Sequence, residues 1–361
     1  MLNLTVRIRN KQIKMKIHLV SGGCGFVGRN VVKRLLSTTD DRVFMVDDLS
    51  IGRHPKEWYQ GEFVSHMNQD VEVIGEDGRL FFWKGDFRDL LFYMRQKPKY
   101  IQETYGIEFE KFNDVFHFAA IVGGRLKIDG DPLMVALDLS IDSEFFYWIT
   151  RHQPDRVLYP SSSAAYPTSL QTTDGAIALS EGDIDFTKNL GTPDMTYGWT
   201  KLTGEFLAQI AAKHYGISIV CIRPFSGYGE DQETDYPVPA IARRAALKEN
   251  PFEVWGSGKQ GRDFVHIDDI IDLIQILMDN VSDGSAYNIG SGKLTSFLEL
   301  IDVFTSIAGY KPDILPLLDK PVGVHSRYCD MSVVEKKFGW KAKISLEEGM
   351  RRVYEAALKK I

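Results

Sequence analysis

The chain alternates between short apolar runs and longer stretches whose apolar positions recur at helical spacing. "KIHLVSG" (16–22) is a short apolar run closed by glycine, "FVGRNVVKRLLS" follows with helical spacing, and "DRVFMVDD" (41–48) is a second run of buried character. Together they predict a β-α-β unit, whose crossover is right-handed almost without exception. Four further strands are expected at "RLFFWKGD" (79–86), "DVFHFAA" (114–120), "RVLYPSSS" (156–163) and "ISIVCIRP" (217–224). Helices fill the gaps, notably from about Pro132 to His152 and from Thr196 to Tyr215. Strands joined by helices in this way predict an α/β fold built on a doubly wound parallel sheet.

After Pro224 the elements become shorter and are punctuated by Gly and Pro. This predicts a first domain over 15–224 and a smaller α/β lobe over 225–361, with one return to the sheet near "RDFVHIDDIIDLIQILMDN" (262–280). Residues 1–14, "MLNLTVRIRNKQIK", are basic but lack the apolar centre of a secretory signal. Since "MKIHLVSGG" from Met15 reads as a natural start, they are taken as an extension with no assigned role.

Composition narrows the function classes. With 44% hydrophobic and 25% charged residues in 361, the chain reads as an ordinary globular protein. A formal charge of -6 argues against a nucleic-acid or anionic-membrane surface. No apolar run approaches the ~20 residues of a membrane span. Cys24, Cys221 and Cys329 lie far apart and in no CxxC pair, so neither a disulfide framework nor a zinc site is expected, and the reducing cytoplasm is the expected location. The eight histidines show no HxH or HExxH spacing, so no metal is expected; His117 and His266 fall in apolar strands and read as packed.

The candidate chemistry begins with "SGGCGFVG", where Gly22, Gly25 and Gly28 stand at GxxGxxG spacing between a strand and a helix, with Phe26 and Val27 inside the motif. Backbone must approach a pyrophosphate closely there, and the helix N-terminus supplies amide donors, so the loop predicts dinucleotide binding in a Rossmann domain. Asp47 ends the next strand, 19 residues after Gly28, where a carboxylate accepts from adenosine ribose hydroxyls and repels a 2'-phosphate; NAD is expected over NADP. Arg53 reads as a solvated loop charge. Asp86 in "GDFRD" reads equally well as an adenine contact and as the N-cap of the next helix.

"YGWTK" places Tyr197 and Lys201 four apart, on one face of a helix. A phenol, which titrates near ~10, becomes a useful base near neutrality only if its phenolate is stabilised, and a neighbouring ammonium can do that. With the glycine loop, "DVFHFAA", the serine strand, "RPFSGYG", "GSGKQGRDFVHIDD", "YNIGSG" and "FGWKAKISLEEGM", the chain from Met15 onward resembles the extended short-chain dehydrogenase/reductases that act on nucleotide sugars. "IVGGRLKIDG" and "FEVWGSGKQGRDF" look most like the GDP-fucose synthase and GDP-mannose 3,5-epimerase branches; the serine motif looks more like UDP-galactose 4-epimerase.

The resemblance implies that Ser162 hydrogen-bonds the reacting sugar oxygen, that Tyr197 removes a hydroxyl proton and that Lys201 holds the nicotinamide ribose. It implies that Ala119, Ala120 and Pro224 line the cofactor, and that Gly123, Gly124, Ser163, Ser226, Arg262 and Arg327 face the nucleotide sugar, the two arginines on its diphosphate. It also implies a homodimer through two paired helices, one carrying "FFYW" (145–148) and the other the tyrosine. Ala164 stands where the GDP-sugar branches carry a proton-exchanging cysteine, and Tyr236 where they carry histidine or lysine. Ser163 and Ala164 stand where 4,6-dehydratases carry Asp and Glu. Ser226 and Asp138 replace asparagines usual in relatives. What remains is reversible oxidation at carbon 4, which points to an epimerase with a 4-keto intermediate. A one-way 4-dehydrogenase or 4-ketoreductase would use the same residues. A non-catalytic NAD-binding sensor or scaffold is expected to lack Tyr197 or Lys201. The long segments 54–78 and 168–196 are expected to shape the sugar pocket.

Overall fold

A computed structural model describes residues 15–59, 64–66, 70–121, 130–172 and 176–361. The extension 1–14 and the sites Gly123 and Gly124 lie outside the described residues. Eight strands come first in chain order: β1 Ile17–Ser21, β2 Arg42–Asp47, β3 Val64–His66, β4 Val71–Ile74, β5 Leu80–Lys84, β6 Asp114–His117, β7 Arg156–Pro160 and β8 Ile219–Pro224. With a late strand, Asp283–Ile289, they form one nine-stranded sheet ordered late strand, β8, β7, β6, β1, β2, β5, β4, β3. All six expected strands are in it, and each pairs in parallel with its neighbours among the six. Their near-continuous apolar runs reflect burial on both faces of the sheet.

Three departures have local causes. The late strand "DGSAYNI" shows no apolar run, yet it pairs in parallel with β8, with a register shift between Asp283 and Ala286. An edge strand needs fewer apolar positions than a central one, so periodicity does not reveal it. It follows the helix Ile267–Asn280, which packs into the same apolar cluster as β1, β2, β7 and β8, so the return expected near 262–280 starts with this helix and is completed by the late strand. The segment 54–78, expected at the sugar pocket, instead contributes β3 and β4, which extend the sheet antiparallel beyond β5. Finally, the helix expected from Pro132 is two helices, Pro132–Val135 and Asp138–His152.

Beyond β8, Gly261–Arg262 forms a short strand between Thr295–Ser296 and Ser326–Arg327. The helices Pro237–Ala246, Phe297–Ile307 and Leu346–Leu358 enclose a separate apolar cluster that includes Ile241, Phe252, Phe304 and Met350. In the sheet, β1 is flanked by β2 on one side and β6 on the other, so chain connections diverge at its carboxyl end. That divergence opens the crevice where α/β sheets bind ligands. Among the described residues no helix is long and apolar enough to cross a membrane, and no cluster of three or more metal-ligating side chains occurs.

Candidate active site

The first helix, α1 (Phe26–Thr38), starts directly from the glycine loop. Gly22 has φ +65°, and a Cβ there would lie 2.5 Å from the Phe118 carbonyl carbon and 2.6 Å from the Ala119 nitrogen, so the loop rests on the end of β6. A Cβ on Gly28 would lie 2.2 Å from the Gly22 carbonyl oxygen. Gly25 differs: its φ of -66° suits any residue, and a Cβ would meet only the Gly22 oxygen, at 3.3 Å. A side chain at 25 would thus need the Gly22 carbonyl to give by only a few tenths of an ångström, a smaller demand than at 22 or 28, whereas a phosphate drawn against the open amides of the first turn needs glycine there. This cradle, with Phe26 and Val27 in the first turn of α1, fits a dinucleotide.

Gly25→Ala separates the two demands. We expect the variant to fold with a stability loss of about 1 kcal/mol or less, while NAD retained through purification drops sharply. NAD content equal to the parent's, measured after denaturation, would show that the cradle is not used.

Asp47 accepts from the amides of Cys24 (2.9 Å) and Leu49 (2.8 Å), so it braces the glycine loop; burial pushes its carboxyl up despite these bonds. Asp86 caps the next helix, α2 (Phe87–Gln96), accepting from the Arg88 amide at 2.8 Å and pairing with its guanidinium. The hydrogen bond from Arg88 holds Asp86 below the usual carboxylate range, and the expected N-cap is present. Arg53 is not a solvated loop charge: it donates to the Asp231 carbonyl at 2.7 Å and stands 3.5 Å from Glu233. Ala119 and Ala120 follow β6, half-buried, with the Ala119 amide donating to Ser21 Oγ at 3.3 Å; Pro224 closes β8.

The tyrosine helix, Met195–Tyr215, lies on the turn that follows β7. A Cβ at Gly198 would fall 2.4 Å from the Ala164 carbonyl oxygen, so only glycine lets the first turn of the helix approach the short 3-10 turn Ser163–Ala165. Ser162 caps that turn, its Oγ accepting from the Ala164 amide at 3.1 Å, and Ser163 and Ala164 are buried in it. Behind it, Ser161 donates to Glu205, which takes a two-pronged bond from Arg223 at 2.9 and 2.7 Å. Arg223 also donates to the Tyr166 hydroxyl at 3.0 Å, and that hydroxyl donates to Asn288 at 2.7 Å. The serine turn is thus fixed from below.

Lys201 is buried, its ammonium 5.7 Å from the Tyr197 ring centroid and 5.6 Å from that of Tyr159. Burial alone would lower its pKa, but the carboxylates of Asp142 and Asp138, with Tyr197, hold it above the ordinary lysine value, so it remains a cation. Asp142 accepts from Tyr159 (2.6 Å) and from His117 (3.1 Å), whose other ring nitrogen meets Ser21 at 2.8 Å. Burial holds the His117 imidazole below its ordinary value and therefore neutral. His117 is packed as expected, yet it is the centre of a polar chain beneath the lysine. His266 is likewise buried, capping the helix Ile267–Asn280 and donating to Glu230 at 3.1 Å. Sequence reasoning missed Asp142 and Glu205; Glu205 stands four residues after Lys201, a spacing that could have flagged it.

Arg262 and Arg327 face each other in register on neighbouring strands. Arg262 donates to the carbonyls of Gly261 (2.7 Å) and Val322 (3.2 Å). Arg327 donates to Gln171 at 2.6 Å and to Asp194 at 2.7 Å, the residue just before the tyrosine helix. Ser226 sits half-buried on the strand Ser226–Tyr228, its amide bonded to the Asp263 carbonyl at 2.9 Å. Burial, then the neighbouring Tyr197 and Glu233, push the Tyr236 phenol up, so the two tyrosines lie within electrostatic reach of each other.

A parallel sheet with a glycine loop at its switch point, and a tyrosine and buried lysine on one helix beside it, define an extended short-chain dehydrogenase/reductase. The model of the NAD dependent epimerase/dehydratase family matches residues 18–290, and the chain belongs to that family of NAD-dependent enzymes. It is 26% identical over 342 residues to a putative UDP-glucose 4-epimerase of Methanocaldococcus jannaschii, covering 93% of this chain and 96% of the other. It is 29% identical over 256 residues to a GDP-L-fucose synthase of Sinorhizobium fredii, covering 68% of this chain and 79% of that protein. The crystal structure of UDP-glucuronic acid 4-epimerase from Bacillus cereus, in complex with UDP-glucuronic acid and NAD, has the same fold, with a TM-score of 0.74 at 24% identity over 96% of this chain and 100% of that one.

Proposed function

We propose that the chain is a nucleotide-sugar epimerase that works through a 4-keto intermediate on a GDP- or UDP-sugar. The observation that carries this reading is the buried serine turn: Ser163 and Ala164 lie beside Ser162 and against the tyrosine helix, where acid and base groups for dehydration or ring epimerisation at carbons 3 and 5 would have to stand. The names of the relatives, epimerases and GDP-fucose synthases, support the substrate class.

Bound NAD supplies the hydride acceptor and donor at carbon 4. Gly22, Gly25, Phe26, Val27 and Gly28 would hold its pyrophosphate, Asp47 its adenosine ribose, with Ala119, Ala120 and Pro224 along it. Tyr197 takes the proton of the 4-hydroxyl and returns it; Lys201, held charged, favours the phenolate; Ser162 keeps the sugar oxygen oriented. Arg262 and Arg327 grip the diphosphate, planar guanidinium against phosphate oxygens, with Ser163 and Ser226 on the sugar side. Residues 15–224 with 262–280 and the late strand form the cofactor domain, and the rest of 225–361 the substrate lobe. Leu139, Tyr147, Trp199 and Phe206 are exposed on the helices Asp138–His152 and Met195–Tyr215, and we place a homodimer face there; a monomeric mass in light scattering removes it. The free, buried cysteines Cys24, Cys221 and Cys329 suit the reducing cytoplasm.

The test is to mix purified protein with a panel of UDP- and GDP-sugars, following NADH absorbance and sugar identity together. An isomerised sugar with no accumulated NADH is the expected result. Stoichiometric NADH change would replace the epimerase by a one-way 4-dehydrogenase or 4-ketoreductase. Silence with every sugar would favour a non-catalytic sensor or scaffold.

A further inference from the structure

We infer that the acidic segment Glu230–Tyr236 is an ionic latch that retains the dinucleotide on the glycine loop, and that Arg29 is its positioning residue. The inference rests on the family's cofactor and deepens the proposed function, because an epimerase must keep its cofactor to return the hydride to the same sugar.

Arg29 follows Gly28 in α1, and its side chain is fully buried. A guanidinium removed from water is tolerated only when its donors are paired. Its partners come from two places. One is the glycine loop, through the Cys24 carbonyl at 3.2 Å from Nη1. The other is the acidic segment: Nε donates to Asp231 Oδ2 at 2.9 Å, Nη2 to the Asp231 carbonyl, and Nη1 lies 3.0 Å from Glu233 Oε1. Asp231 also accepts from Lys33 at 2.9 Å and Asn30 at 3.3 Å, both on α1. Arg53, from the loop after β2, donates to the Asp231 carbonyl at 2.7 Å and forms an ion pair with Glu233 at 3.5 Å. Glycine loop, α1 and the loop after β2 are the elements that border the dinucleotide site, and all three are tied to this one segment.

The segment is also anchored at both ends. Glu230 accepts from His266, the cap of the helix Ile267–Asn280, and a Cβ on Gly229 would lie 2.7 Å from Ile267 and 3.1 Å from Phe26 Cζ, so the chain entering the segment is pressed against that helix and the start of α1. At its far end Tyr236 is the N-cap residue of the helix Pro237–Ala246, its carbonyl accepting from the Ala240 amide at 3.1 Å. The charges matter as a set. Two carboxylates this near the glycine loop would repel a pyrophosphate, and Arg29, Lys33 and Arg53 place three cations against them. Loosening the set frees the rim of the site, and since neutralising the carboxylates leaves the three cations facing the anion, faster exchange in such a variant reports the lost restraint and not a lost attraction.

The experiment measures exchange of bound NAD for isotopically labelled NAD, a readout that needs no turnover. Asp231 and Glu233 are about one-quarter exposed (25% and 22%), so the double variant Asp231→Asn, Glu233→Gln is expected to fold. Its NAD should exchange about tenfold faster or more, the effect of losing one hydrogen bond to a charged group. Arg29→Met should lose NAD on purification; if it does not fold, the double variant and Arg53→Gln still decide. A role confined to fold stability lowers the thermal midpoint but leaves exchange at the parent's rate, and that result would overturn the latch. Sugar isomerisation with fast exchange in the parent would also overturn the latch while leaving the epimerase. Net NADH production with slow exchange would keep the latch and remove the epimerase.

Discussion

Tyr197→Phe should cut turnover by roughly 10²- to 10⁴-fold, the usual contribution of a positioned acid-base group, while the variant keeps its NAD. The change removes one oxygen from a half-buried side chain, and the ring continues to lie 5.7 Å below the Lys201 ammonium. Fold and cofactor cradle are therefore untouched. What is lost is the hydroxyl proposed to carry the substrate proton, a task Lys201 cannot take over because Asp142 and Asp138 hold it as a cation against the effect of burial. Single-turnover assays with the active sugar, together with NAD content after denaturation, give the two readouts. A variant within about tenfold of the parent sinks the assignment of Tyr197 as base.

Glu205→Gln should be the most destabilising single change near the site, by roughly 3–5 kcal/mol, as for other buried pairs broken at one partner. Arg223 is buried, and Glu205 neutralises it through two bonds at 2.9 and 2.7 Å. Burial opposes the Arg223 charge, yet Glu205 and Tyr166 hold its pKa above the ordinary arginine value, so the charge stays and is left uncompensated in the variant. Because Glu205 also receives Ser161 and Arg223 also holds Tyr166, both ends of the serine turn loosen together. A thermal midpoint lowered by several degrees and a fall in turnover are expected. An unchanged midpoint would show that the pair contributes nothing.

The strands β1, β2 and β5 to β8 were legible because each is a short apolar run buried on both faces, a pattern written within a few residues. The late strand Asp283–Ile289 was not, because an edge strand carrying Asp, Gly and Ser is specified by its partner β8. Asp86 shows the same limit: a strand-end carboxylate before a helix has two local readings, and the fold shows it capping that helix and paired with Arg88. His117 was read by its apolar neighbours as packed, and it is; its links to Ser21 and Asp142 join β1, β6 and a helix, and none of these is adjacent in the chain.

By itself, then, the sequence determined what is local: a strand-loop-helix cradle at Gly22 to Gly28, a tyrosine and lysine one helical turn apart, and a serine turn without acid or base. These follow from backbone geometry and from the fixed spacing of a helix. The tertiary structure alone decided which distant charges meet. Arg29 finds Asp231 across some 200 residues of chain, Lys201 lies among Asp138 and Asp142, and Arg262 aligns with Arg327 on neighbouring strands. The physical reason is that a buried charge is specified by its need for a partner, and the chain does not say which partner the fold will bring.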